Sequence, residues 1–105
     1  MGVSKLPPIH PGEILRELYL EPIEMTPYAL AKHLRVPRTR IERIVSEKIG
    51  ISADTALRLG KFFRTTPEFW LDMQTGYDLK IQSAALEKAL AEIEELPGAK
   101  DLEAA

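Results

Sequence analysis

The stretch 27–46, PYALAKHLRVPRTRIERIVS, decides the fold. Leu30, Ala31 and Leu34 recur at helical spacing and line one face of a short helix. Ile41, Ile44 and Val45 do the same for a second helix, and Val36 plugs the turn between them. The Val36-Pro37 step forces a break, because the residue before proline is pushed away from helical angles. Two amphipathic helices joined by about three residues around a shared apolar wedge form a helix-turn-helix. Small Ala31 sits where the two helices must approach closely.

The polar face left over carries the chemistry. With Ile41 turned inward on a wheel of about 100° per residue, Thr39, Arg43 and Ser46 point outward and Arg38 projects from the N-terminal tip. A recognition helix enters the major groove N-terminus first. Arginine reads guanine O6 and N7 bidentately, and threonine contacts several base edges. This spacing nominates Arg38, Thr39 and Arg43 for bases. Arg40, Lys48 and the start of the preceding helix at Thr26 and Tyr28 are nominated for phosphates. Spacing alone leaves a merely solvated, arginine-rich helix open as the alternative.

Charge distribution favours nucleic acid. The 105 residues sum to −2, but residues 26–64 hold nine cations against three acids, a local +6. Residues 1–25 sum to −2, and residues 65–105 hold three lysines against nine acids, a local −6. A basic middle between acidic ends is the asymmetry that points to a nucleic-acid partner.

Working outward, proline at the first helical position opens three segments, at His10-Pro11, Thr26-Pro27 and Thr66-Pro67. Glu13 and Glu68 fall in first turns, where a carboxylate meets the positive end of the helix dipole. Ser52 reads as a further N-cap. The expected architecture is all-α, with five helices at about 11–20, 27–34, 38–47, 53–63 and from 67 onward. Leu79, Leu86, Leu90 and Ile93 carry the last helix to Leu96, with Gly76 the point where it would bend or break. Pro97-Gly98 then stops it, and a frayed tail follows from about Ala99. The expected organisation is an N-terminal arm (1–9), a DNA-binding domain (10–79) and an acidic helical extension with a tail (80–105).

Other classes find little support. The chain has no cysteine, which removes disulfides, thiol nucleophiles and Cys-based zinc sites and fits a reducing compartment. No apolar run approaches the roughly 18 residues of a membrane span, and no signal-peptide core is present, so a cytoplasmic location is expected. There is no Ser/His/Asp arrangement, phosphate-cradling glycine loop or HExxH, so neither an enzyme nor a cofactor is expected. His10 and His33 lack partner ligands at metal spacing. His10 is expected to help start the first helix, and His33 to be partly exposed. Asp54 and Thr55 belong to the N-cap turn, and Arg58 is expected to meet an acid or a phosphate. Phe69, Trp70, Met73 and Tyr77, at helical spacing, are expected in core or dimer packing.

Four segments carry a family resemblance: HPGEILRELYLEP (10–22), YALAKHLRVPRTRIERIV (28–45), ISADTALRLGKFF (51–63) and TPEFWLDMQTGYDL (66–79). Together they resemble the Cro/repressor-type helix-turn-helix superfamily and, more narrowly, the HigA-type antitoxins of toxin–antitoxin modules. The resemblance implies a homodimer on a palindromic operator, repressing its own operon. It also implies a cognate toxin with the compact fold of RelE-like mRNA-cleaving ribonucleases. The acidic residues Glu87, Glu92, Glu94 and Glu95 suit such a cationic partner.

Four residues depart from the pattern. Arg35 and Arg64 occupy positions where the pattern prefers glycine, and Glu47 and Ile49 replace Gly and Arg in the turn after the recognition helix. Arg35, Glu47 and Ile49 motivate one alternative, a toxin-sequestering module that barely touches DNA; a stand-alone repressor without a toxin is a second.

Overall fold

The structure, a computed structural model, describes residues 6–98. Residues 1–5 of the expected arm and the expected tail from Ala99 lie outside the described residues. The described residues are all-helical: α1 (Pro11–Ile14), continued by a π-wound stretch (Leu15–Leu20) and a 3-10 turn (Glu21–Ile23), then α2 (Pro27–Leu34), α3 (Arg38–Val45), α4 (Ala53–Phe63), α5 (Pro67–Ala85) and α6 (Glu87–Ala91).

Local chemistry places the helix starts. Thr26, Ser52 and Thr66 are N-caps whose hydroxyls accept from the backbone N–H groups of Ala29, Thr55 and Phe69. His10 caps α1, its Nδ1 accepting from Gly12 N–H at 2.9 Å. The core gathers Leu15, Leu20, Leu30, Ile41, Ile44, Leu59 and Trp70 between α1, the α2–α3 pair, α4 and the first half of α5. Trp70 is wholly buried, and its indole N–H donates to Thr65 Oγ1 at 2.8 Å.

Three boundaries differ from expectation. The first helix is not uniformly α. Leu15 and Leu20 are both buried, yet an α-helix would set residues five apart about 140° from each other. The i→i+5 ladder of a π-helix brings them to one face. α3 ends at Val45 rather than 47, because Glu47 adopts left-handed angles at φ 62° and reverses the chain. α5 passes Gly76 unbroken but stops at Ala85, and α6 closes at Ala91, short of Leu96. Leu86, Leu90, Ile93 and Leu96 are all exposed. Without tertiary packing, helical spacing alone does not sustain a helix.

Gly12 makes a tight contact between α1 and α3. A Cβ on Gly12 would overlap the Ile44 carbonyl outright and would also meet His10 Nδ1 at 3.0 Å. Gly12→Ala is therefore expected to destabilise the fold by at least about 1–3 kcal/mol through overpacking, with backbone rather than side chain in the way. A urea denaturation midpoint unchanged from wild type would count against this contact.

His10 gives a pH dependence. Burial pushes its imidazolium below 6.5, more than the opposing pull of Glu47, Asp78 and the Ile49 carbonyl. The fold holds the neutral ring, while the unfolded chain takes up the proton first as the pH falls. Stability is thus fully present above about pH 6.5 and is lost progressively below it. Melting temperature is expected to drop between pH 7.5 and pH 5.5, and the drop should shrink in His10→Asn, which caps without titrating. Equal drops in both proteins would contradict it.

Candidate nucleic-acid interface

α2 and α3 form the helix-turn-helix, and the turn depends on one backbone geometry. Arg35 sits at φ 60°, ψ 47°, the left-handed conformation for which glycine is usually chosen. Its N–H bonds the Lys32 carbonyl, and Val36 N–H bonds the Ala31 carbonyl. These bonds close α2 and aim the chain into α3. Ala31 is 2% exposed, consistent with close helix approach at that point.

The outward face of α3 is open. Thr39, Glu42, Arg43 and Ser46 line a shallow groove with Lys48 and Ile49 from the following turn. Lys48 thereby joins Thr39 and Arg43 on one surface. Arg43 makes no ion pair among the described residues. Arg38 is exposed and lies 3.6 Å from Glu42 one helical turn on, an exposed pair that costs little to exchange. Thr26 caps α2, and exposed Tyr28 carries the Lys32 ammonium 5.6 Å above its ring.

Arg40 lies off this face, its guanidinium 2.7 Å from Asp54 Oδ1. Arg58 Nε reaches the same oxygen at 2.8 Å, and a second Arg58 nitrogen donates to the Leu34 carbonyl at 2.8 Å. Asp54 is held below the usual carboxylate range by Arg58 first and Arg40 second. This network ties the N-terminal turn of α3 to α4 and the end of α2.

Sequence reasoning missed Arg16. Its guanidinium donates to the Val45 carbonyl and lies 3.4 Å from Glu47 and 3.0 Å from Glu17. These acids, Glu17 foremost, favour its charged form still further. No local signal marks this role, because Val45 and Glu47 are 29 and 31 residues away in the chain.

Phe69, Trp70, Met73 and Tyr77 do not share one environment. Trp70 is core, Met73 and Tyr77 are half-buried, and Phe69 is exposed beside Tyr19. Tyr77 packs edge-on against His10 with ring centroids 4.9 Å apart. His33 is exposed and stacks on Phe62. Among the described residues, no group of three acidic or histidine side chains is placed to hold a metal, and no helix is long and apolar enough to cross a membrane.

No protein-family model matches the sequence. Individual relatives do. Virulence-associated protein I of Dichelobacter nodosus is 55% identical over 80 residues, covering 76% of this chain and 74% of that protein. Antitoxin HigA-1 of Vibrio cholerae is 34% identical over 79 residues, covering 75% of this chain and 74% of its own length. Among solved structures, the Pseudomonas aeruginosa antitoxin HigA with the higBA promoter superimposes at a TM-score of 0.83. It is 46% identical, and the match covers 86% of this chain and 99% of that one. With backbone, helix order and sequence in agreement, the chain belongs to the HigA family of helix-turn-helix antitoxins, a family of regulators rather than enzymes.

Proposed function

We propose that this chain binds operator DNA through α3 and acts as an antitoxin and autorepressor of its own operon. The observation that carries the reading is the open face of α3, where Arg43 and Thr39 stand clear beside Lys48. Relatives of the same fold add support, since the Pseudomonas aeruginosa antitoxin HigA was solved with a promoter and antitoxin GraA with its operator.

In this reading Arg38, Thr39 and Arg43 meet base edges, and Thr26, Tyr28 and Lys48 meet phosphates. Arg40 reaches phosphate only by sharing its guanidinium with Asp54. The operative unit is a homodimer whose two α3 helices enter successive major grooves about 34 Å apart. Phe69, Met73 and Tyr77 on α5 contribute to its contacts or support, while Trp70 fixes the helix from inside. Residues 10–79 act as the DNA-binding unit, and the acidic 80–105 extension offers a surface to a cationic RelE-like ribonuclease. A protein repressing an operator works in the compartment that holds the DNA, the cytoplasm of a bacterium.

Arg43→Ala is expected to weaken operator binding by about 1–3 kcal/mol and to relax base preference at one position per half-site. A mobility-shift series at fixed salt checks it, and unchanged affinity and preference would remove α3 as the reading element. Copurification of the chain with any small basic protein encoded beside it tests the antitoxin half. A chain that binds its promoter but captures no such neighbour would be a stand-alone repressor. One that captures it without binding DNA would be a sequestering module.

A further inference from the structure

The C-terminal end of α3 shows how the recognition helix is held. A helix leaves its last four carbonyls without intrahelical partners. In α3 these belong to Glu42, Arg43, Ile44 and Val45. Ser46 N–H takes the first, Lys48 and Ile49 N–H take the second, and Glu47 N–H takes the third. The fourth, Val45, accepts from the Arg16 side chain. Arg16 thus completes the cap from a different part of the chain, the π-wound stretch after α1.

The same guanidinium is shared between Glu17 at 3.0 Å and Glu47 at 3.4 Å. Glu47 stands in the left-handed turn between Ser46 and Lys48, two residues that line the groove with Thr39 and Arg43. Its carboxylate therefore adds a negative charge close to a surface that would meet phosphates. Both Arg16 donors that reach Glu47 converge on one of its oxygens, at 3.4 Å each. The Arg16 side chain is about one-third exposed, so the pair is only partly screened by solvent.

The opposite end of the motif is built the same way. Arg58 donates to the C-terminal Leu34 carbonyl of α2 and is balanced by Asp54, which also binds Arg40 on α3. The recognition helix is therefore gripped near each end by an arginine–acid pair anchored in the flanking helices.

We propose that Arg16 is a positioning residue for operator binding, offsetting the Glu47 charge at the C-terminal end of α3 so that this acid does not oppose the DNA phosphates. The inference rests on the operator-binding reading above. It assigns Arg16 no contact with DNA.

The test uses the full chain and its promoter fragment, with affinities measured across a salt series for wild type, Arg16→Ala, Glu47→Ala and the double variant. Arg16→Ala should bind about tenfold more weakly at low salt, the order of effect of leaving one acid uncompensated beside phosphates. The ratio to wild type should shrink as salt rises, because exposed charges are screened. The double variant should recover most of the loss, since the acid is gone. Arg16→Lys should recover part of it, by charge without the planar fork. Wild-type-like binding by Arg16→Ala, on a promoter that wild type binds, would overturn the positioning role alone. A loss that is independent of salt and not recovered in the double variant would reduce Arg16 to a fold-stabilising residue and also overturn it. Failure of wild type itself to bind would instead overturn the operator reading and the positioning role with it.

Discussion

The start of α1 is pressed against the end of α3, and much of the structure depends on that contact. Gly12 lies against the Ile44 carbonyl with no room for a methyl group. This contact explains why four consecutive residues, His10 to Glu13, behave as a unit. His10 accepts the Gly12 N–H, Pro11 occupies a position that needs no N–H, Gly12 permits the approach, and Glu13 meets the positive end of the helix. Once α1 is seated there, Arg16 one turn later reaches the Val45 carbonyl. The recognition helix is thereby fixed from below, and its upper face is left free.

His10 extends the constraint to a third element. The Ile49 carbonyl in the turn after α3 favours the charged form of His10, whose ring packs T-shaped against Tyr77 on α5. Gln74, also on α5, accepts from Ile51 N–H at 2.7 Å just beyond that turn. The loop that follows the recognition helix is therefore held between α1 and α5 rather than left to itself. Lys48 inherits its place on the groove from those two anchors.

Much of this was legible from local chemistry. Proline at N1, hydroxyl caps and two apolar faces placed α2, α3, α4 and the start of α5 within a residue or two, because each signal acts within one helical turn. The π winding after α1 escaped, since it follows from Leu15 and Leu20 both needing the core and not from any residue's propensity. The early end of α5 escaped because leucine spacing reports amphipathicity but not whether a partner is present. The outward face of α3 followed from the wheel. Arg58 meets an acid as expected, Asp54 four residues before it. The Arg16 contacts with Val45 and Glu47 and the links from Asp54 to Arg40 and from Arg58 to Leu34 did not follow, because those partners lie 14 to 31 residues apart in the chain.

The departures from the family pattern acquire a physical sense in this setting. Arg35, Glu47 and Arg64 stand where glycine is usual, and all three adopt left-handed angles. Each conformation costs about 1 kcal/mol for a residue with a Cβ, partly offset because a non-glycine chain has less entropy to lose on folding. What the side chains supply is charge at helix ends. Arg35 and Arg64 place cations at the negative ends of α2 and α4, where the dipole favours them. They also account for two of the nine cations in the basic middle of the chain. Glu47 alone runs against that trend, an acid beside the DNA-facing groove, and it is the one that the fold supplies with an arginine. The substitution that argued against DNA binding in the bare sequence is thus met within the fold by Arg16, which it shares with Glu17.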